Sequence, residues 1–381
     1  MPSTRAQVQL GHESEDSRHQ VFLGSRLEVR SARGVRGADR ILLEALDQDM
    51  TGRVLVAGTR EAIAALAIEK LYPGAEVHLF SLDAFVHGRA RETLRLNGSS
   101  RVAALLGADL PGPGTFDWVV MPLSVHGDSM LTMELLTEAH TALRSRGKIL
   151  VSIDSARDRW VRERVLELFG AATIHVRSRH GFAYIARKQS GAEARQRDFR
   201  RSFRATLFGR TIDLETRPGV FSHGELDEGT LALSELAAPL TETSRVIDLG
   251  CGSGALGIAA ALAAPRGVAL LADSNARAVQ SAAASVERNG ASRNALVVMT
   301  HDFSAVRDRS FDLALANPPY FGDYRITELF ASEAKRMLVP GGELCLVTKA
   351  AERPLEIIRG LLGAATAKER RGYTVIRARK A

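Results

Sequence analysis

Short apolar runs bounded by turn residues recur along the whole chain. In the first half they are RVLVAG (53–58), EVHLFSLD (76–83), FDWVVMP (116–122) and KILVSI (148–153). In the second half they are RVIDLG (245–250), VALLADS (268–274), FDLALANPPY (311–320) and ELCLVTK (343–349). Runs of this length read as strands buried on both faces, and the longer amphipathic stretches between them read as helices. Alternation of the two predicts a parallel sheet with helices packed on either side, an α/β fold, in each half.

The two series also match each other in order. Arg53-Val54 corresponds to Arg245-Val246 and Asn97-Gly98 to Asn289-Gly290, both at an offset of 192, while Phe116-Asp117 corresponds to Phe311-Asp312 at an offset of 195. LRSRGKILVS (143–152) continues the match onto LVPGGELCLVT (338–348), and HGFAYIARK (180–188) onto RRGYTVIRARK (370–380). Two unrelated sheets would not keep so many landmarks at nearly one spacing, so the pattern predicts a duplicated unit. The polar, glycine-containing QSGAEARQR (189–197) marks the junction, with domains expected at 1–195 and 196–381.

Only the second copy carries recognisable chemistry. VIDLGCGSG (246–254) is a strand, an acid (Asp248) and then Gly250, Cys251, Gly252 and Gly254 opening a helical stretch. Glycines there let the backbone turn tightly and approach a ligand lying against the helix start. A dinucleotide fold would want a third glycine where Ala255 stands. Asp273, at the end of the next strand with Ser274 beside it, is placed to accept ribose hydroxyls. Asp302 with Phe303, after the third strand, is placed to meet an adenine edge, and the same aspartate would serve equally as a turn or helix cap.

The fourth strand runs into Asn317-Pro318-Pro319-Tyr320. Proline pairs fix turns, but this turn lies at the C-terminal end of a strand, where open α/β sheets bind their ligands. The combination resembles class I methyltransferases with an N-P-P-[YF] motif, in particular the ribosomal RNA guanine-N2 methyltransferases of the RsmC/RlmG type. GVFSHGELDEGTLAL (219–233) is similar to that family's lead-in to its catalytic domain, and Tyr320 stands where phenylalanine is commoner.

The resemblance implies two tandem Rossmann-like class I methyltransferase domains with the N-terminal copy degenerate. It implies S-adenosylmethionine as cofactor and an exocyclic base nitrogen, first of all guanine N2 of ribosomal RNA, as acceptor. Asn317 and the Pro318 carbonyl would accept the hydrogens of the target amine, Pro319 would hold the turn, and Tyr320 would stack on a base withdrawn from its helix. No metal is required.

The first copy has VLVAGTREA (54–62) in place of the glycine loop and Met121-Pro122-Leu123-Ser124 in place of the proline motif, so it is expected to bind no cofactor. A role in RNA recognition or in supporting the catalytic half follows from the resemblance.

Charge adds modestly to this picture. The chain has 381 residues and a net charge of +7, compatible with a polyanionic partner without requiring one. Arg195, Arg197, Arg200, Arg201 and Arg204, interleaved with Phe199 and Phe203, form one candidate RNA contact, and Arg157, Arg159, Arg162 and Arg164 on a helix form another. The two cysteines, Cys251 and Cys345, offer neither a disulfide framework nor a zinc site. With no apolar run long enough to span a bilayer and no secretory leader, a cytoplasmic, monomeric enzyme acting on ribosomal RNA or a ribosomal subunit is expected. N6-adenine methylation, glutamine N5 methylation and non-catalytic RNA binding in ribosome assembly stay open as alternatives.

Overall fold

A computed structural model describes residues 19–22, 28–31, 35, 37–47, 49–59, 61–191, 197–319 and 324–381. The chain divides into two compact units, Met1–Asp198 and Phe199–Ala381. In the first unit β1 (His19–Phe22) pairs antiparallel with β2 (Glu28–Ser31). Then follow α1 (Gly37–Glu44), β3 (Gly52–Ala57), α2 (Ile63–Leu71), β4 (Ala75–Ser81), α3 (Ala84–Leu96), β5 (Ala103–Leu106) and β6 (Phe116–Leu123). It closes with α4 (Ser129–Ala142), β7 (Leu143–Ile153), α5 (Trp160–Phe169), β8 (Thr173–Arg177) and β9 (Phe182–Arg187).

The second unit opens with a hairpin of β10 (Arg201–Leu207) and β11 (Arg210–Thr216). It continues through α6 (Glu228–Leu236), β12 (Arg245–Leu249), α7 (Ala255–Ala263), β13 (Val268–Asp273), α8 (Ala276–Arg288) and β14 (Ala295–Met299). The last elements are β15 (Phe311–Ala316), α9 (Arg325–Met337), β16 (Leu338–Thr348), α10 (Glu352–Leu362), β17 (Ala365–Arg370) and β18 (Tyr373–Arg379).

Each unit is built on a seven-stranded sheet, ordered β5-β4-β3-β6-β7-β9-β8 in the first and β14-β13-β12-β15-β16-β18-β17 in the second. The first five strands of each order run parallel and the last two pair antiparallel. The duplication extends to details of register. The pairing shifts between Phe116 and Trp118 in the first sheet and between Phe311 and Leu313 in the second. Asp117 accepts the amide of Arg53 at 2.9 Å and Asp312 that of Arg245 at 2.8 Å. Asn97 and Asn289 each terminate the third helix of their sheet unit, α3 and α8.

The apolar runs become the cores. Val54, Leu55 and Val56 on β3, and Val246, Ile247 and Leu249 on β12, are fully buried, so the central strands carry apolar side chains to both faces of their sheets. The hairpin β10–β11 lays Leu207, Ile212 and Leu214 against the α7 residues Ala255 and Ile258. No helix among the described residues is long and apolar enough to cross a membrane.

Both arginine clusters differ from expectation. Arg195 lies outside the described residues. Phe199 is buried and Phe203 packs against the core beneath the hairpin, leaving neither ring for base stacking. Alternation along β10 turns Phe203, Ala205 and Leu207 inward and Ser202, Arg204 and Thr206 outward, where Arg204 pairs with Asp213 at 2.9 Å. Arg197, Arg200 and Arg201 are exposed. In the other cluster Arg157 and Arg159 precede α5, which begins at Trp160, and Arg164 pairs with Glu167 at 2.8 Å.

One polar core residue makes the first unit acid-sensitive. His140, on α4, is fully buried, its ring edge-on to Phe169 at 5.0 Å between centroids. Neither ring nitrogen has a hydrogen-bond partner among the described residues. Burial, aided by Lys188, lowers its pKa from 6.5 to about 4. The neutral ring is the folded form, so the contribution is complete above pH 6.5 and is lost as pH falls toward 4. The penalty at pH 5 is about 2 kcal/mol relative to neutral pH. His140→Leu should therefore lose less stability than the wild type between pH 7.5 and pH 5, measured on the calorimetric transition of the first unit. An equal loss in both proteins would contradict this account.

Candidate active site

The site is assembled where β12 and β15 end side by side at the C-terminal edge of the second sheet. Beyond β12 the chain turns through Gly250, Gly252 and Gly254, with φ of 72°, 55° and 87°. At Gly254 a side chain is excluded twice, since a Cβ would also fall 2.8 Å from Leu271 Cδ2. Two amides of the loop, Gly250 and Cys251, donate to the Ala272 carbonyl at 2.8 and 3.0 Å. The amide of Gly252 donates to Asp273 Oδ2 at 2.9 Å, and that of Asn275 to Oδ1 at 2.9 Å. Asp273 thus fixes the loop from the neighbouring strand while its carboxylate stays at the sheet edge.

Asp248 is buried and accepts the Gly257 amide at 2.9 Å, which ties the strand to the first turn of α7. Burial pushes its carboxyl up to about 7, partly offset by that amide and reinforced by the charge of Asp273. The Cys251 thiol, also buried, is pushed well above its ordinary range by the same burial.

A small open pocket lies over the loop. Of the residues singled out in the sequence, Asp248, Gly250, Cys251, Gly252 and Asn317 line it. Gly254 faces the core, Asp273 holds the loop through the Gly252 amide, and Ser274 beside it is half-buried. Asp302 is exposed and its Oδ1 accepts both the amide and the hydroxyl of Ser304, at 3.1 and 3.0 Å. The Ser304 amide holds this carboxyl below its ordinary pKa. That is the geometry of a turn cap, and it occupies one of the two carboxylate oxygens. Phe303, expected among the cofactor positions, instead has its side chain in the core, 2% exposed and edge-on to Phe330 at 5.9 Å.

Asn317 follows β15 directly; Pro318 behind it is buried and Pro319 exposed, while Tyr320 lies outside the described residues. The Asn317 amide nitrogen donates to Asp227 Oδ2 and to Thr230 Oγ1, both at 2.9 Å. Asp227 also caps α6, accepting the Thr230 amide at 3.1 Å, and its Oδ1 accepts the Tyr373 hydroxyl at 3.2 Å. Asp227, Thr230 and the exposed Phe221 line the pocket with Asn317. None of the three was singled out in the sequence. An aspartate immediately before a threonine-containing helix reads as an ordinary cap, and Tyr373 reads as a strand aromatic.

Among the described residues, the first unit lacks this arrangement. Strand pairing sets Val120 and Met121 opposite Leu150 and Val151, as Leu315 and Ala316 stand opposite Cys345 and Leu346. Pro122, rather than Met121, therefore takes the place of Asn317, one residue out from an alignment on the prolines. Strand β6 also continues to Leu123, whose side chain is buried, so no turn opens there. Ahead of α2 the buried Glu61 pairs with Arg89, where the second unit has Ser253 lining its pocket.

Comparison with known proteins agrees with this geometry. The sequence profile of the methyltransferase small domain matches residues 21–184 and again 211–377. Ribosomal RNA small subunit methyltransferase C of Hahella chejuensis is 38% identical over 141 residues, 36% of this chain and 40% of its own length. The protein of the same name from Pasteurella multocida is 34% identical over 194 residues, 49% of this chain and 57% of its own length. The chain thus aligns with only about half the length of these curated relatives. A solved structure of the T. thermophilus 16S rRNA N2 G1207 methyltransferase RsmC covers 99% of both chains with a TM-score of 0.76 at 20% identity, a likeness of fold. Matched by one family profile in each of its two units, the chain belongs to the methyltransferase small domain family.

Proposed function

We propose that the chain transfers a methyl group from S-adenosylmethionine to an exocyclic amino nitrogen of an RNA base, guanine N2 of ribosomal RNA in the first instance. The observation that carries this reading is the Asn317 amide, held by Asp227 and Thr230 in the wall of the same pocket that the Gly250–Gly252 turn floors. The curated relatives are ribosomal RNA small subunit methyltransferases, and the solved T. thermophilus protein is in complex with AdoMet and guanosine, which supports the cofactor and the base. Positive-φ glycines beside a strand-end carboxylate suit a nucleoside with a charged amino-acid tail.

When bound, the cofactor supplies a methyl group on positively charged sulfur. The chain's own task is positional, because the lone pair of an exocyclic amine is delocalised into its ring and attacks poorly unless aimed. Asn317 Oδ1 and the Pro318 carbonyl accept hydrogen bonds from the two N–H groups of the amine, which orients the lone pair and offsets the positive charge that grows on nitrogen. Tyr320 is assigned the base plane. The first unit, without a comparable site, is assigned to RNA binding or support, and the exposed Arg197, Arg200 and Arg201 at the junction are the candidate phosphate contacts.

The test is transfer of labelled methyl from S-adenosylmethionine by the full chain, offered in parallel to ribosomal RNA, ribosomal subunits, adenine-containing DNA and a release-factor peptide bearing glutamine. Label on guanine of the RNA or subunits is expected. Label on adenine N6 or on glutamine alone would replace the proposed substrate.

A further inference from the structure

We infer that Asp227 is a positioning residue that fixes which face of the Asn317 amide the substrate meets, and through it selects an amino group as the atom to be methylated. The inference rests on the proposed methyl transfer. An asparagine amide is nearly symmetric in shape, so sterics alone hardly distinguish its two orientations. Chemically they are opposite. With oxygen presented, the amide accepts from an amine and leaves the nitrogen lone pair available. With nitrogen presented, it donates, and would hold a carbonyl or ring nitrogen in place of an amino group.

The surroundings decide between the two. Both hydrogens of Asn317 Nδ2 are directed at acceptors, Asp227 Oδ2 and Thr230 Oγ1, each at 2.9 Å. Thr230 does not discriminate, since a hydroxyl could turn and donate to a flipped amide oxygen. An ionised carboxylate has no hydrogen to give, so the flipped amide would set oxygen against oxygen. Asp227 is itself pinned, at Oδ2 by the Thr230 amide at 3.1 Å and at Oδ1 by the Tyr373 hydroxyl at 3.2 Å. Strand β15, helix α6 and strand β18 thus converge on one carboxylate. Its charge, one amide group away from the substrate, also polarises Asn317 so that Oδ1 is more negative where the amine becomes positive.

Helix capping is the competing explanation for Asp227, and substitutions can separate the two. Asp227→Ser keeps a good cap but is too short to hold Asn317; Asp227→Asn keeps size and cap but can donate to a flipped amide. Single-turnover methyl transfer to RNA by the full chain is expected to fall roughly 10- to 100-fold in both, with S-adenosylmethionine affinity within about two-fold and an unchanged melting temperature. In an Asn317→Ala background the same changes should cost nothing further, because Asp227 acts through Asn317. Wild-type rates in both variants would overturn the inference, as would a fall in rate matched by loss of cofactor affinity or stability, or full additivity with Asn317→Ala. A second readout is independent of turnover. The Asn317 side-chain amide protons, identified in nitrogen-15 spectra by their absence from Asn317→Ala, should lie downfield in the wild type and move upfield in Asp227→Ser. Their failure to move overturns the clamp; a clamp present without any transfer to RNA overturns the function instead.

Discussion

Asn317→Ala is expected to slow methyl transfer at least ~100-fold while leaving S-adenosylmethionine affinity within about two-fold, by analogy with removal of a single positioned acceptor at other charge-developing sites. The split follows from placement. Asn317 stands at the end of β15, bonded to Asp227 and Thr230 on one side and lining the pocket on the other. The amides of Gly250, Cys251 and Gly252 in the glycine turn are held by Ala272 and Asp273. Its loss should therefore leave the cofactor cradle intact and remove only the group that aims the amine. Single-turnover transfer beside calorimetric cofactor binding measures both. A variant that transfers normally would remove Asn317 from the chemistry, and one that loses cofactor binding equally would make it a cofactor ligand.

The second large effect is expected at Asp273. Asp273→Ala should weaken S-adenosylmethionine roughly 10- to 100-fold, the cost of ribose hydroxyls left without an acceptor. The structure adds a further contribution, because Asp273 also accepts the amides of Gly252 and Asn275 and so holds the glycine turn in shape. Asp273→Asn should be intermediate, keeping one acceptor oxygen while surrendering the charge. Calorimetric titration of each variant gives the answer. Changes in the first unit, at Gly58, the counterpart of Gly250, or at Asp83, the counterpart of Asn275, should leave binding untouched. Asp83 already serves as the cap of α3, accepting the Val86 amide at 3.0 Å. Equal weakening from either unit would mean that the first copy is not silent.

How far the sequence foretold these features depends on where their physical cause resides. Strands β3, β6, β12 and β15 were legible because burial on both faces demands continuous apolar runs, and the duplication was legible because Asp117 and Asp312 perform the same backbone-pinning task in each copy. The glycine turn and Asn317 were legible because few other residues satisfy their geometry. Asp227 was hidden by having two tasks, of which helix capping is the commonplace one. Phe199 and Phe203 beside arginines resemble a stacking surface, yet Phe199 is buried just ahead of β10 and alternation along β10 turns Phe203 inward, a periodicity that a short polar junction does not reveal. Aligning the two copies on Pro122 and Pro318 missed the true register by one residue, because the register is set by strand pairing and not by residue identity. Phe303 stands beside Asp302 in sequence, but its positive φ of 54° and its contact with Phe330 send the ring into the core.

The most direct measurement of the central claim is mass spectrometry of the nucleosides in each ribosomal RNA from the native host with the gene deleted, and from that strain carrying the wild-type gene or the Asn317→Ala variant. The account predicts that one N2-methylguanosine disappears from one ribosomal RNA on deletion, returns with the wild-type gene, and fails to return with the variant. An unchanged N2-methylguanosine content after deletion, or full restoration by Asn317→Ala, would contradict it.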